Sequence, residues 1–152
     1  MRFVETDGGR VSAGYKGFTG DCVVRSIAIA TGVPYEQVYK DLHALTKAHR
    51  PTMAHLTLKH GPVQANRRAS PRYGVWPKVY KAYLWTLGWE WTPTMGIGTG
   101  CQVHLKDGEL PMGNLVVRLS KHVTAVIDGV IHDNHDPSRG GTRCVYGYFE
   151  KG

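Results

Sequence analysis

Three residues of this chain have the types and the order that nucleophilic catalysis needs: Cys22, His122 and Asp133. A cysteine attacks a carbonyl through its sulfur, so something must take the thiol proton and later deliver it to the leaving group. A histidine does both. A carboxylate on the ring's other nitrogen fixes the tautomer. About 100 residues separate Cys22 from His122. The chemistry therefore requires two distant segments to fold against each other.

The first segment runs from Gly20 to Gly32 and reads Gly-Asp-Cys-Val-Val-Arg-Ser-Ile-Ala-Ile-Ala-Thr-Gly. It is a short helix, apolar on nearly all sides and broken only by Arg25 and Ser26, so it belongs inside a core. Asp21 is placed to cap it through its carboxylate. Gly32 can stop it in the left-handed conformation. Cys22 then sits at the helix mouth, where the positive end of the dipole favours thiolate over thiol. The charge on Asp21 opposes that effect unless capping absorbs it.

The second segment is a run of strands. Asn114 to Leu119 is one, His122 to Ile127 the next, and Val130 to His135 follows after Asp128-Gly129. Asp-Gly between two apolar runs signals a tight hairpin. A two-residue turn pairs Ile127 with Val130, Thr124 with Asp133 and His122 with His135. Side chains alternate faces along a strand and paired residues share one. Asp133 thus lies diagonally from His122 on the same face, and Asp136 falls on the other. This favours Asp133 over Asp136 as the orienting acid, and a bulge would invert the result.

A metal is the rival use of these residues. His132 and His135 point to opposite faces of a strand and cannot chelate together. His122, Asp133 and His135 can converge, but that needs the triad's own side chains. The glycine-rich run 95–100 lacks the Gly-Lys-Ser/Thr of a phosphate loop. The expectation is a site with no metal and no cofactor.

Pro34 opens a second helix with apolar residues at 35, 38, 39, 42 and 45. Trp76-Pro77 opens a third, through about Leu87, with Val79, Tyr80, Tyr83, Leu84 and Leu87 on one face. Trp85, Trp89 and Trp91 read as packing residues. Residues 49–75 show no sustained period and carry Pro51, Pro62, Pro71, Arg67, Arg68 and Arg72. They read as a long basic loop, either a substrate-binding lid or a solvated insertion. Residues 94–113 and the loop from Pro137 to Gly141 lead to a last strand near Thr142 to Phe149. Residues 1–19 read as a short strand or arm followed by a loop. Helices first and an antiparallel sheet after make an α+β layout. The 152 residues suit one domain, 1–152.

The net charge of +7 suits an acidic partner, nucleic acid included, or simply keeps a small protein soluble. No nucleic-acid motif surrounds the tryptophans, which disfavours that partner. Three cysteines without CxxC spacing are neither a disulfide framework nor a zinc ribbon. The N-terminus has no apolar signal region, and no run approaches a membrane span. These features lead to the expectation of a cytoplasmic protein with Cys22, Cys101 and Cys144 as free thiols, and no membrane partner.

Gly-Asp-Cys at 20–22 opening an apolar helix, Asp21-Cys22-x-x-Arg25, Gly32-x-Pro34-Tyr35, and Lys121-His122-Val-Thr-Ala-Val-Ile with Ile131-His132-Asp133 after a turn together form a pattern. It resembles the papain-like cysteine peptidases, most of all small papain-like proteins of phages and bacteria. The Asp-Cys pair is similar to that of double-glycine peptidases and cell-wall endopeptidases. The histidine strand followed by a strand ending in Asp is similar to that of SUMO-type and josephin-type proteases. The resemblance implies a papain-like fold, with a central helix carrying Cys22 among N-terminal helices packed on the sheet. It implies Cys22 as nucleophile, His122 as base and Asp133 as orienting acid, acting on a peptide, isopeptide or amide substrate. Papain-like enzymes place a glutamine or similar donor before the cysteine, and none stands there in this chain. The oxyanion donors would then be the Cys22 N–H and a second from Thr19, Tyr15, Lys16 or another backbone N–H. Arg67, Arg68 and Arg72 would select an acidic substrate. The rival classes are an inactive binding protein on the same fold (a phage inhibitor of a host factor, or a virion component) and a basic nucleic-acid binder.

Overall fold

The computed structural model describes residues 1–16, 20–60, 70–72 and 74–152, with the helical backbone alone for 50–60. Among these, three helices and six strands form an α+β fold: β1 (Arg2–Glu5), α1 (Cys22–Thr31), α2 (Tyr35–His60), α3 (Pro77–Thr86), β2 (Trp89–Pro93), β3 (Asn114–Leu119), β4 (His122–Ile127), β5 (Val130–Asp133) and β6 (Gly147–Lys151). One sheet takes all six strands in the order β1-β5-β4-β3-β6-β2.

The sheet is mixed, which corrects the antiparallel expectation. β1 lies parallel to β5, pairing Arg2 with Val130 through Glu5 with Asp133. Parallel partners so far apart in sequence are joined by no turn, so no local signal announces them. The remaining pairs are antiparallel.

The sheet has a core on each face. One contains Val23, Val24 and Ile27 of α1, Val38 and Leu42 of α2, Val79, Tyr80 and Leu84 of α3, and Val116, Val123, Ala125 and Phe149 of the sheet. The other contains Leu105, Leu115, Val117, Leu119, Val126, Ile131 and Val145. The alternation along β3 and β4 divides their side chains between the two faces. Helix α1 is buried along most of its length, Arg25 and Ser26 included. The Ser26 hydroxyl donates to the Val123 carbonyl at 2.8 Å, tying α1 to the strand that begins with His122.

Several boundaries differ from the sequence reading. Helix α2 runs on to His60, through Pro51, so the first part of the expected basic loop is helical. A proline removes one backbone hydrogen bond, and the Ala, Leu, Met and Lys that follow favour the helix enough to continue it. Residues 61–69, with Arg67 and Arg68, lie outside the described residues. Trp85 is exposed and packs into no core, unlike buried Trp89. β5 ends at Asp133 instead of reaching His135.

Cys101 and Cys144 form a disulfide with their Cα atoms 5.8 Å apart, which corrects the expectation of three free thiols. Sequence spacing does not reveal such a pair, because strand and loop packing bring the two together. The part of the localisation argument that rested on free thiols falls with it. Among the described residues, no helix is long and apolar enough to cross a membrane. Thiol titration of unreduced, denatured protein should count one thiol, rising to three after reduction. Cys101→Ala/Cys144→Ala should lower stability by about 2–4 kcal/mol in urea denaturation. Three titratable thiols before reduction would remove the disulfide.

Candidate active site

Cys22 is the first residue of α1 and the free cysteine of the chain. Gly32 ends the helix as expected, with φ of 79° and its N–H on the Ala28 carbonyl. Asp21 does not cap as expected. Its carboxylate makes no cap hydrogen bond. It is buried and turns inward, accepting from Arg25 Nη1 and from the Tyr35 hydroxyl at 2.7 Å. A buried guanidinium needs a carboxylate partner, and Asp21, one turn before Arg25, supplies it. Its charge is absorbed there, by an ion pair where capping was expected.

The hairpin forms as the Asp128-Gly129 turn requires. Ile127 pairs with Val130, Val126 with Ile131 and Ala125 with His132. Both turn residues have positive φ, 48° and 76°, as a type I′ turn demands. His122 opens β4 and Asp133 closes β5. Both therefore stand at the open end of the hairpin, where α1 begins. His122 Nε2 lies 2.8 Å from Asp133 Oδ2. Asp136 is turned away and accepts the Ser138 N–H at 2.9 Å. Asp133 is thus the carboxylate on the ring.

Arg25, one turn after Cys22, is the residue the sequence reading missed. It is 3% exposed. Its Nε and Nη2 donate to Asp133 Oδ1 at 3.2 and 2.9 Å, while Nη1 serves Asp21. One guanidinium thus joins the residue before the cysteine to the acid behind the histidine. A signal was present, because a lone arginine in an otherwise apolar buried helix must be paired. Gly8 closes over this bridge. It has φ of +70°, and a Cβ there would meet Arg25 Cγ at 2.9 Å.

The electrostatics follow from these contacts. Burial opposes the charge on Asp133, but the His122 ring, the Thr124 hydroxyl facing it and the Arg25 guanidinium outweigh burial and hold the carboxyl at about 2. Thr124 Oγ1 faces the carboxylate without a formed hydrogen bond. Burial likewise opposes charge on His122. The hydrogen bond to Asp133 and the negative charge of Asp133 and of a Cys22 thiolate nearby outweigh it and raise the ring to about 9. With Nε2 on Asp133, Nδ1 is the nitrogen left for sulfur.

Cys22 and His122 line one cavity of about 510 Å³, shared with Val75, Tyr80, Arg118 and His135. The His135 ring lies 5.0 Å from that of His122. His122, Asp133 and His135 bring their ligand atoms within 4.8 Å of one another, the one such cluster among the described residues. Yet Asp133 already accepts from Arg25, His122 and the Asn134 N–H, so a metal would have to displace them. Tyr80 is buried and lines this cavity, and its hydroxyl makes no hydrogen bond among the described residues. Burial, and the charge of Cys22 against the relief from Arg118, push that phenol up to about 12.

Of the expected oxyanion donors, the Cys22 N–H belongs to the first turn and has no acceptor in its own helix. Thr19 lies outside the described residues. The Tyr15 ring stacks on Tyr39 at 4.5 Å. The Lys16 carbonyl accepts from Arg10 and Arg72. Arg72 is not among the residues lining the cavity, and its carbonyl accepts the Gly20 N–H at 2.6 Å, two residues before Cys22. No protein-family model, curated protein or solved structure matches this chain.

Two measurements follow. Arg25→Met leaves two buried carboxylates without their cation and should cost about 3–5 kcal/mol in urea denaturation; a loss under 1 kcal/mol would show the bridge to be unimportant. The second concerns pH. His122 is raised from 6.5 to about 9, so its stabilisation is complete below pH 6.5 and is lost as pH rises through 9. Asp133 is lowered from 3.8 to about 2, so its share is present above pH 3.8 and lost as pH falls through 2. Unfolding free energy should decline between pH 6.5 and 9 in the parent and much less in His122→Gln. Parallel profiles would remove the coupling.

Proposed function

We propose that this protein is a papain-like cysteine hydrolase, cleaving a peptide, isopeptide or amide bond through an acyl-enzyme on Cys22. The observation that carries the reading is His122, hydrogen-bonded through Nε2 to the Asp133 carboxylate at 2.8 Å, lining one cavity with Cys22 at the mouth of α1.

The chemistry uses these groups in turn. The thiol proton passes to His122 Nδ1, and sulfur bonds to the substrate carbonyl carbon. The C–N bond then breaks as His122 gives its proton to the departing amine. Water, losing a proton to His122, attacks the thioester, and the C–S bond breaks to release the acid and restore the thiol. An acceptor amine in place of water would give transfer, and a side-chain amide substrate would give deamidation. Asp133 holds the ring by Nε2 and stabilises its positive charge. The Cys22 N–H and the Tyr80 phenol are the donors for the oxyanion, Tyr80 standing in for the missing glutamine.

Iodoacetamide should alkylate Cys22 at pH 7 at least about tenfold faster than it alkylates glutathione, and His122→Ala should abolish that advantage. 4-Nitrophenyl acetate should give a burst of nitrophenol with Cys22 acylated. Tyr80→Phe should slow that acylation about 10- to 100-fold while leaving alkylation, which forms no oxyanion, unchanged. Alkylation no faster than that of glutathione, indifferent to His122→Ala, would point instead to an inactive binding protein on this fold.

A further inference from the structure

A second, smaller cleft of about 100 Å³ lies beside the cavity of Cys22. Pro77, Tyr80 and Arg118 line both, so the two share a wall. Lys78 and Lys81, one turn apart on α3, and Arg118 on β3 bring three cations to the smaller cleft, with Trp91 and Phe149 as apolar surface. Among the described residues none of the three cations makes an ion pair.

The fold keeps carboxylates of its own away. Trp91 pairs with Phe149 and Glu90 with Glu150 in the β2–β6 register. Strand alternation therefore gives the aromatic pair to the face of this cleft and sends both glutamates to the other. Gly147 leaves room for the Trp91 ring, for a Cβ at that position would meet the indole at 2.3 Å. Three neighbouring cations without a counter-charge attract an anion. The size decides which kind. Sites for whole small molecules span about 300–1,000 Å³, and a cleft of about 100 Å³ holds one side chain.

We propose that this cleft is a subsite for the carboxylate of an Asp or Glu side chain in a peptide substrate whose scissile bond lies at Cys22. The proposal rests on the thiol-hydrolase reading above and names its substrate class. Lys78, Lys81 and Arg118 bind the carboxylate, and Trp91 packs against the methylenes.

The test uses two chloroacetyl-capped peptide pools that differ only in Glu for Gln. The Glu pool should alkylate Cys22 about tenfold faster at low ionic strength. The difference should shrink towards parity in 1 M salt, where charges are screened, and in Lys78→Gln/Lys81→Gln, a change of exposed side chains. Fast labelling with no preference between the pools would overturn the subsite and leave the hydrolase standing. The same pools, fluorescein-labelled and without the reactive cap, are then bound to Cys22→Ala and read by polarisation. Preference for Glu there, lost in the lysine variant, upholds the subsite even where Cys22 proves unreactive. Absence of preference, or tighter binding of a single-stranded oligonucleotide, overturns it.

Discussion

A single buried guanidinium holds this site together. Arg25 lies between two buried carboxylates, Asp21 just before Cys22 and Asp133 on the strand behind the histidine. A charge removed from water is tolerated only when opposite charge and hydrogen bonds replace the lost solvation. Each member of this group supplies what the others need. Two carboxylates and one guanidinium leave one negative charge, and it lies against the His122 ring through Asp133. Orientation of the ring and stabilisation of a positive charge on it are thus met by the same contacts.

The surrounding elements serve that arrangement. Ser26, next to Arg25, fixes α1 to the carbonyl of Val123, next to His122. On the far side of Asp133, the Thr6 N–H just beyond β1 donates to the Asp133 carbonyl at 2.9 Å. Gly8 then carries the chain across Arg25 where no side chain would fit. Tyr35, from the start of α2, completes the shell of Asp21 through its hydroxyl. Residues from five segments enclose two ion pairs that share Arg25, and Cys22 remains half-buried at their rim, lining the cavity. The thiol stays accessible while the groups that position the histidine are sealed.

The readability of the fold varied with the range of the interaction. The hairpin was legible because Asp128-Gly129 fixes its own register, and that register alone preferred Asp133 to Asp136. Helices α1 and α3 were legible from apolar periodicity and from Gly32 and Pro77 at their ends. Arg25 stood in plain view as a break in an apolar run, yet its partner lies 108 residues away. Asp21 looked like a local cap, and a distant tyrosine and an arginine one turn on competed for it successfully. The Cys101–Cys144 bridge and the parallel β1–β5 pairing had no local signature at all.

The sequence by itself determined the chemical inventory: a cysteine at the start of a buried helix, a histidine at the start of a strand, and a carboxylate one tight turn later. Those features follow from capping residues, periodicity and turn chemistry, which act within a few residues and leave their mark on neighbouring letters. Tertiary structure alone decided that cysteine and histidine share one cavity with the acid bound to the ring, which cation steadies that acid, which tyrosine lines the cavity, and which cysteines pair. Those outcomes depend on how buried charge and apolar surface are satisfied across the whole chain. That requirement constrains the sum of many segments and marks no one of them.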